Sequence, residues 1–347
     1  MSEQKVYPYY NFNRIESYPA TIKGIIGGRG IGKTYGLSKR KIKEALKDVH
    51  NGAQFIYMRR YKDDLPIAKS TFFAAVGNEF PDWDFRDNGW LAECAPAETR
   101  DSKKREWFTI GYFIALSMAQ KVKSSAFPRV KSIIFDEVIL EKGFTRYIPG
   151  EVTALLGFMD TVDRKQDRVT VYLLSNAVSI DNPYFLEWDI KPDETRNEQF
   201  VTRRNGFITI HFPDTEQFSK AVYQSKFGQF IQDTAYGEYS VGNKFSDNNT
   251  NLILQKDPKA RYRFSLETKK GSFSVWKNPL SGVYYLQEKQ PKDVDLYTIV
   301  PEWMSEEKKL MPMNSKTLQS LRTAFRSANM FFDTPSTRNA FIEISNR

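Results

Sequence analysis

The residues best suited to chemistry lie in a glycine-rich stretch near the N-terminus. Gly27-Gly28-Arg29-Gly30-Ile31-Gly32-Lys33-Thr34 matches the pattern G-x-x-x-x-G-K-[ST]. In that pattern the glycines let the backbone curl until successive N–H groups point inward at phosphate oxygens. The helix that follows adds its positive end. Lys33 then neutralises charge on the outer phosphates of ATP, and the Thr34 hydroxyl is a ligand for Mg2+. Arg29, inside the loop, is close enough to touch a phosphate of the same site. Ile31 and Tyr35 complete the phosphate-binding set, Gly27 to Tyr35.

A second group lies about a hundred residues on, where the apolar run VKSIIF (130–135) ends in Asp136-Glu137. Asp136 is placed to hold Mg2+ through water, and Glu137 to polarise a water for attack on the terminal phosphate. A carboxylate beside the magnesium aspartate separates ATP hydrolases of the additional-strand (ASCE) type from kinases and small GTPases. Alone, such a pair reads as a cap on the next turn; with the phosphate loop upstream it reads as catalytic. A third group is Ser175-Asn176, at the end of VTVYLL. Asn176 there either senses the terminal phosphate and orients the attacking water, or the pair caps the next segment. Transition-state charge calls for a further cation. Arg164, in DRKQDR, is a candidate arginine finger acting on a neighbouring subunit's ATP, with Arg168 and Lys142 as rivals. Spacing alone does not choose among them.

These groups need a frame that brings strand ends together. Thr21–Ile26 reads as a short apolar strand, Lys33–Asp48 as a helix, and Gln54–Met58 as a buried strand followed at once by Arg59 and Arg60. Val130–Phe135 is a strand, Glu151–Val162 a helix after Pro149-Gly150, and Val169–Leu174 a strand. Strands alternating with helices imply an α/β domain with a mostly parallel sheet and helices on both faces. Asn205–Phe212 reads as a late strand, Thr215–Phe230 as a helix leaving the domain, and Gly237–Thr250 as a polar connector. From Arg261 the pattern becomes strand-like, with RYRFSLET, SFSVWK and VYYLQ forming a meander. Ser315–Met330 reads as an amphipathic helix with Leu318, Leu321, Phe325 and Ala328 on one side. The expected division is an ATPase domain over 1–213, a helical then polar linker over 214–248, and a smaller α+β domain over 249–347.

The length of 347 residues suits about two domains. Lys and Arg number 51 against 42 Asp and Glu, a net charge of +9. That balance favours an anionic partner. It is uneven: the first fifty residues carry +6, residues 151–200 carry −5, and residues 251–347 carry +6. A single cysteine, Cys94, excludes an intrachain disulfide framework, and with only His50 and His211 a His/Cys metal site is not expected. No apolar run is long enough for a membrane helix, and the N-terminal stretch lacks the apolar core of a secretory signal. A cytosolic protein with no membrane partner is therefore expected. The aromatic content of 14% reads as core packing.

GGRGIGKTY, QFIYMRRYK, KSSAFPRVKSIIFDEVILEK, YIPGEVTALLGFMDTVDR, LLSNAVSIDNPYF and YGEYS together resemble the genome-packaging ATPases of small podophages, the Bacillus-podophage type with protein-primed linear genomes. The resemblance covers residues of about 20 to 245. It implies a homopentameric ring at the portal vertex of an empty prohead, in the host cytoplasm, translocating double-stranded DNA by ATP hydrolysis. It makes Lys33 and Thr34 the Walker A residues and Asp136 and Glu137 the Walker B pair. Arg164 falls at the trans-acting finger, Lys123 and Lys142 at basic positions of the subunit interface, and Lys62 at a pore-facing DNA contact. The C-terminal domain is expected to resemble a degenerate RNase H-like nuclease docking on the portal or a structural RNA. It shows no obvious acidic triad, a departure from larger terminases that argues against DNA cutting.

Charge agrees with a DNA partner, because a translocating ring needs basic loops on the phosphate backbone and not base readers. Lys121 with Lys123 supplies one such cluster, and Lys103-Lys104-Arg105 reads as a solvated face. A helicase-like or partition ATPase, or a non-hydrolysing nucleotide-binding adaptor, are the alternative readings. The adaptor has no use for Glu137.

Overall fold

The computed structural model describes residues 9–140, 146–176, 182–190, 199–234, 237, 241, 252–291 and 295–345. Lys142, most of YGEYS and nearly all of the expected connector lie outside them. Contacts divide the chain into two units. The first is Met1–Ile139, Ala154–Ile180 and Ile190–Ser246; the second is Leu140–Thr153, Asp181–Asp189 and Asp247–Arg347. The contiguous division read from the sequence put 140–153 and 181–189 in the ATPase domain; by contacts they belong to the second unit. Their own bonds tie them together: Glu151 accepts from the Tyr184 hydroxyl at 2.7 Å and from the Ile148 N–H at 2.9 Å.

In chain order the first unit holds β1 (Ile22–Ile26), α1 (Lys33–Ala45), β2 (Gln54–Arg59), α2 (Leu65–Val76), β3 (Trp83–Asn88), β4 (Leu91–Pro96), β5 (Phe108–Ala115) and β6 (Val130–Asp136). It continues with most of α3 (Glu151–Asp163), then β7 (Thr170–Ser175), β8 (Gln199–Arg203), β9 (Ile208–Phe212), α4 (Glu216–Tyr223) and α5 (Lys226–Ile231). Its sheet has nine strands in the order β3-β4-β5-β2-β6-β7-β1-β9-β8. The run from β5 to β9 is parallel throughout, and β4, β3 and β8 close the edges antiparallel. β7 therefore lies between β1 and β6, as an additional-strand ATPase requires.

The central strands are mostly apolar and almost entirely buried because both faces of the sheet are covered. Ile25, Phe55, Tyr57, Ile134, Tyr172 and Leu174 join Leu37 and Ile42 of α1 and Phe72 of α2 in one core. The intervening Ile56, Met58, Ile133, Phe135 and Val171 are completely buried as well. The single helix expected over 215–230 breaks into α4 and α5 at Gln224-Ser225. The Ser225 hydroxyl accepts the Gly228 N–H at 2.9 Å and starts a new helix.

The second unit carries β10 (Arg261–Thr268), β11 (Gly271–Lys277), β12 (Tyr284–Gln287), β13 (Leu296–Thr298), β14 (Lys308–Leu310), α6 (Lys316–Arg326), β15 (Met330–Phe332) and α7 (Pro335–Ser345). The expected meander is present as antiparallel β10-β11-β12, and parallel β13, β14 and β15 extend it to the order β14-β13-β10-β11-β12-β15. An antiparallel meander widened by parallel strands is the plan of an RNase H-like sheet. Leu318, Leu321 and Phe325 of α6 and Phe341 of α7 cover it. Among the described residues no helix is long and apolar enough to cross a membrane.

Candidate functional site

In an open parallel sheet, ligands bind outside the carboxyl ends of the strands, where the order switches direction. Gly27, Asp136 and Asn176 all follow or end such strands, β1, β6 and β7, and these three are neighbours. β1 is buried along its whole length and delivers the chain to Gly27, whose N–H donates to the Ser175 carbonyl at 3.2 Å. The loop turns through Gly30 at φ 84° and Gly32 at φ 79°, left-handed values that favour glycine. A Cβ at Gly32 would lie 3.0 Å from the Tyr9 ring, and one at Gly30 would lie 3.1 Å from the Phe218 ring.

Lys33 opens α1 and is buried. Its ammonium donates to the Gly27 carbonyl at 3.0 Å, the Gly28 carbonyl at 2.7 Å and Asn176 Oδ1 at 3.2 Å. Burial pushes its pKa down to about 7; the Asp136 carboxylate opposes that shift and Arg29 adds to it. Arg29, inside the loop, and Tyr35, just after it, are exposed, and the Tyr35 hydroxyl is bonded to Glu79.

Asp136 is the hub of the acidic tip. Both of its oxygens stand 3.1 Å from the Thr34 hydroxyl. That is long for a hydroxyl–carboxylate bond, whereas the Tyr57 hydroxyl reaches Oδ2 at a normal 2.8 Å. Tyr57 therefore sets the carboxylate's orientation and leaves Thr34 and Asp136 as a pair of hard oxygen donors facing each other. Burial and Asp136 together raise the Tyr57 hydroxyl's pKa, which keeps it a donor. The next residue, Glu137, has φ 56°, a left-handed value at a non-glycine position. Its conformation is fixed from both sides. Its N–H donates to Asp136 Oδ1 at 3.1 Å, and the buried Arg60 guanidinium donates to the Glu137 carbonyl at 3.1 Å and the Val138 carbonyl at 2.7 Å.

Three functional residues carry no motif of their own: Tyr57, Arg59 and Arg60. Arg59 ends β2, stands 3.7 Å from Asp136 Oδ2 and donates to the Glu137 carboxylate. Burial works against the Arg59 charge, but Glu137, Tyr57 and Asp136 raise its pKa overall. The one available signal was an Arg-Arg pair directly after a strand expected to be buried.

The structure separates Ser175 from Asn176. The Ser175 hydroxyl accepts the Ile139 N–H at 3.1 Å and donates to the Ile139 carbonyl at 3.2 Å, so it staples the chain beyond the acidic tip. Asn176 alone reaches Lys33. Asn176 thus joins Lys33 at the mouth of the glycine loop.

The basic candidates divide similarly. Lys62 is exposed on a tight turn after β2, closed by the Tyr61 N–H donating to Asp64 at 3.1 Å. The segment after β5 packs on that turn, with the Ser117 N–H donating to the Arg60 carbonyl at 3.0 Å. It carries exposed Lys121, and exposed Lys123 follows. Lys62 and Lys121 thus sit on adjoining turns at the carboxyl edge of the sheet. Arg164 is exposed at φ 52°, in a loop that the Asp163 carboxylate organises by accepting four N–H groups, from Gln166 to Val169. Arg168 is corrected from an interface candidate to a structural one. Its guanidinium donates to the carbonyls of Val130, Val162 and Phe127, the last at 3.1 Å.

The chain is similar to the DNA packaging protein of Bacillus phage phi29, 35% identical over 339 residues, 97% of this chain and 96% of that protein. Against the DNA packaging protein of Bacillus phage B103 it is 36% identical over 320 residues, 91% and 94% of the two chains. A solved structure of the bacteriophage phi29 genome packaging motor assembly contains a chain 34% identical, with TM-score 0.55 and coverage of 97% of this chain and 98% of that one. The crystal structure of the N-terminal domain of the phi29 DNA packaging ATPase is 40% identical, with TM-score 0.50, covering 59% of this chain and 96% of that one. The description of the podovirus DNA encapsidation protein (Gp16) family matches residues 4–347, and the chain belongs to that family.

Proposed function

We propose that this chain is the ATP-hydrolysing subunit of a viral DNA-packaging motor. It would act as one member of a homomeric, pentameric ring that moves double-stranded DNA into a preformed prohead. The observation that carries the reading is the continuous chain of contacts from Lys33 through Asn176 on one side and from Thr34 through Asp136 to Glu137 on the other. Those residues are cation, hydroxyl, carboxylates and amide, the set that phosphoryl transfer needs.

Each side chain has a separable task. The Lys33 ammonium leaves the Gly27 and Gly28 carbonyls to bind the outer phosphates of ATP. Thr34 and Asp136 fit Mg2+, being hard oxygen donors already 3.1 Å apart. When bound, that ion supplies charge neutralisation at the phosphates. Glu137 accepts the proton of the attacking water at its carboxylate, and Asn176 positions the terminal phosphate against Lys33. Arg164, exposed and outside this cluster, is the candidate for reaching a neighbouring subunit's ATP, and Lys123 and Lys142 remain candidates for contacts between subunits on the resemblance alone. Lys62 and Lys121 are the candidates for the DNA backbone. The relatives' role in packaging supports a portal, or a structural RNA on it, as the docking partner of the second unit, with the protein in the host cytoplasm and transiently at the portal vertex.

The test is Glu137→Gln in the full chain, assayed for ATP turnover with and without DNA and proheads. Turnover should fall by at least about a hundredfold while ATP still binds. Unchanged turnover would remove Glu137 from its assigned role.

A further inference from the structure

The two ends of β9 carry unlike surfaces, both within the first unit. At its amino end the hairpin from β8 turns through Arg203, Arg204, Asn205 and Gly206 to Phe207, and no acid lies anywhere from Gln199 to Phe212. Beyond its carboxyl end the chain passes Asp214 and enters α4 and α5, where Phe227 and Phe230 are exposed by 60% and 78%. We infer that the hairpin tip of one copy of this chain docks on the α4–α5 surface of a second copy. That contact presupposes the proposed ring and goes beyond it, since it joins two surfaces that carry no motif.

Both surfaces are held in place. Arg204, Asn205 and Gly206 have φ 52°, 53° and 90°, consecutive left-handed residues that fix a tight turn. The Phe207 carbonyl accepts the N–H groups of Thr21 at 3.0 Å and Ile22 at 2.9 Å, which ties the tip to β1. Arg204 is exposed there, and Phe207 is exposed by 42%. On the other surface, Gly228 is buried where a Cβ would lie 2.0 Å from the Val222 carbonyl, so α5 presses directly on the end of α4. Phe227 and Phe230, three residues apart, share a face of α5. Phenylalanine and arginine are the residue types enriched where proteins bury a contact.

A second copy fits these surfaces better than nucleic acid. Phe227 and Phe230 offer apolar area that a phosphate backbone does not cover, and Phe207 offers the matching ring. Charge agrees: the hairpin is wholly basic, and on the α4–α5 surface Asp214, Glu216 and Asp233 outnumber Lys220 and Lys226. Direction agrees as well. A Cβ at Gly28 would lie 3.5 Å from Thr215 and one at Gly30 3.1 Å from Phe218, so α4 starts beside the phosphate loop, at the carboxyl edge of the sheet. The hairpin and the Arg164 loop lie on the amino edge, at β9 and β7, with β1 between those strands. The six residues of β7 span about 20 Å, more than an arginine side chain can reach back to its own phosphate site. An Arg164 that serves a neighbour therefore sets the amino edge of one copy against the carboxyl edge of the next. The hairpin beside Arg164 then meets the α4–α5 surface beside the neighbour's loop. Contact between two different patches is heterologous, and repeated by rotation it closes a ring.

Cross-linking in the full chain tests the contact. Asn205→Cys and Gln229→Cys flank it at exposed positions without removing its anchors, and the native Cys94 is buried. The variants are assembled on proheads with DNA and ATP and treated with a short bismaleimide. The double variant should give a ladder of linked chains, the two single variants mixed should stop at dimers, and neither single variant alone should link. Linking of a single variant to itself, or no linking in the double variant, would overturn the inference. Arg204→Glu and Phe230→Asp give a second readout: each should weaken self-association by about tenfold or more, with ATP binding within about twofold of wild type. Self-association unchanged in both would also overturn it. So would an Arg204→Glu chain that loses DNA affinity and still associates, a result that would make the hairpin a nucleic-acid contact. These negative results leave the ring standing. Wild-type chain that forms no oligomer, alone or on proheads, would instead sink the ring reading and this contact with it.

Discussion

The Arg59 guanidinium is hydrogen-bonded to the Glu137 carboxylate, so the residue placed to activate water is tethered to the end of a neighbouring strand. Arg59 also stands 3.7 Å from Asp136, which makes it the shared counter-ion of both acids. Replacing it by Ala releases Glu137. Turnover of ATP without DNA is expected to rise severalfold, read by phosphate release at saturating ATP. A fall to the level of Glu137→Gln would mean that Arg59 orients the base and does not restrain it.

Lys33 should make nucleotide binding take up a proton. Its pKa is held near 7 by burial in the folded chain, against about 10.4 for a free lysine. Anionic phosphates favour the ammonium and draw a proton in between those two values. Calorimetry at about pH 8 in buffers of different ionisation enthalpy should give an uptake approaching one proton per ATP, absent in Lys33→Met. The same shift has a stability sign. Between about pH 7 and 10.4 the unfolded chain binds a proton that the folded chain does not. Stability should therefore rise with pH across that window, and Lys33→Met should flatten the rise. A slope unchanged in the mutant would remove Lys33 as its source.

Ser175 and Asn176 should separate in their effects. Asn176→Ala removes the oxygen that meets Lys33 at 3.2 Å, so kcat should fall about tenfold with KM nearly unchanged. Ser175→Ala removes the bonds to both backbone groups of Ile139 and should cost about 1 kcal/mol of stability, read by denaturant midpoint. Catalytic loss from Ser175→Ala without loss of stability would mean that the polar pair acts together at the phosphate.

Adjacent residues with opposite fates show where the sequence is readable and where it is not. The phosphate loop and acidic tip are legible because their chemistry is local. Glycines, lysine and threonine are consecutive, and the strand that delivers Asp136 reaches it through the buried apolar run Ile133–Phe135. Tyr57 and Arg59 act on Asp136 only because β2 pairs with β6, a contact between residues about eighty positions apart. The antiparallel edge β3-β4-β5 escapes the sequence for another reason. β3, Trp83–Asn88, is half exposed and charged, so it has no apolar run to betray it. Segments 140–153 and 181–189 defeat a contiguous division because the chain crosses to the second unit and returns twice.

Arg164 and Arg168 lie four residues apart in one loop and should differ in every assay. The Arg168 guanidinium is shared among three backbone carbonyls, and cutting it to Ala strands acceptors that water reaches only in part. A stability loss of about 1–3 kcal/mol is expected, with ATP binding by the surviving folded fraction intact. Arg164 is exposed, and among the described residues its guanidinium makes no ion pair with its own chain. Arg164→Ala should leave the denaturant midpoint unchanged and act only where subunits meet. In rings assembled from mixed chains, Arg164→Ala subunits should lose turnover at a neighbour's site while Glu137→Gln subunits lose it at their own. Mixing the two variants should then restore part of the activity that neither has alone, because some wild-type Glu137 sites gain a wild-type Arg164 neighbour. Failure of every mixing ratio to restore turnover, with rings shown to form, would place Arg164 in its own subunit's site or outside catalysis altogether.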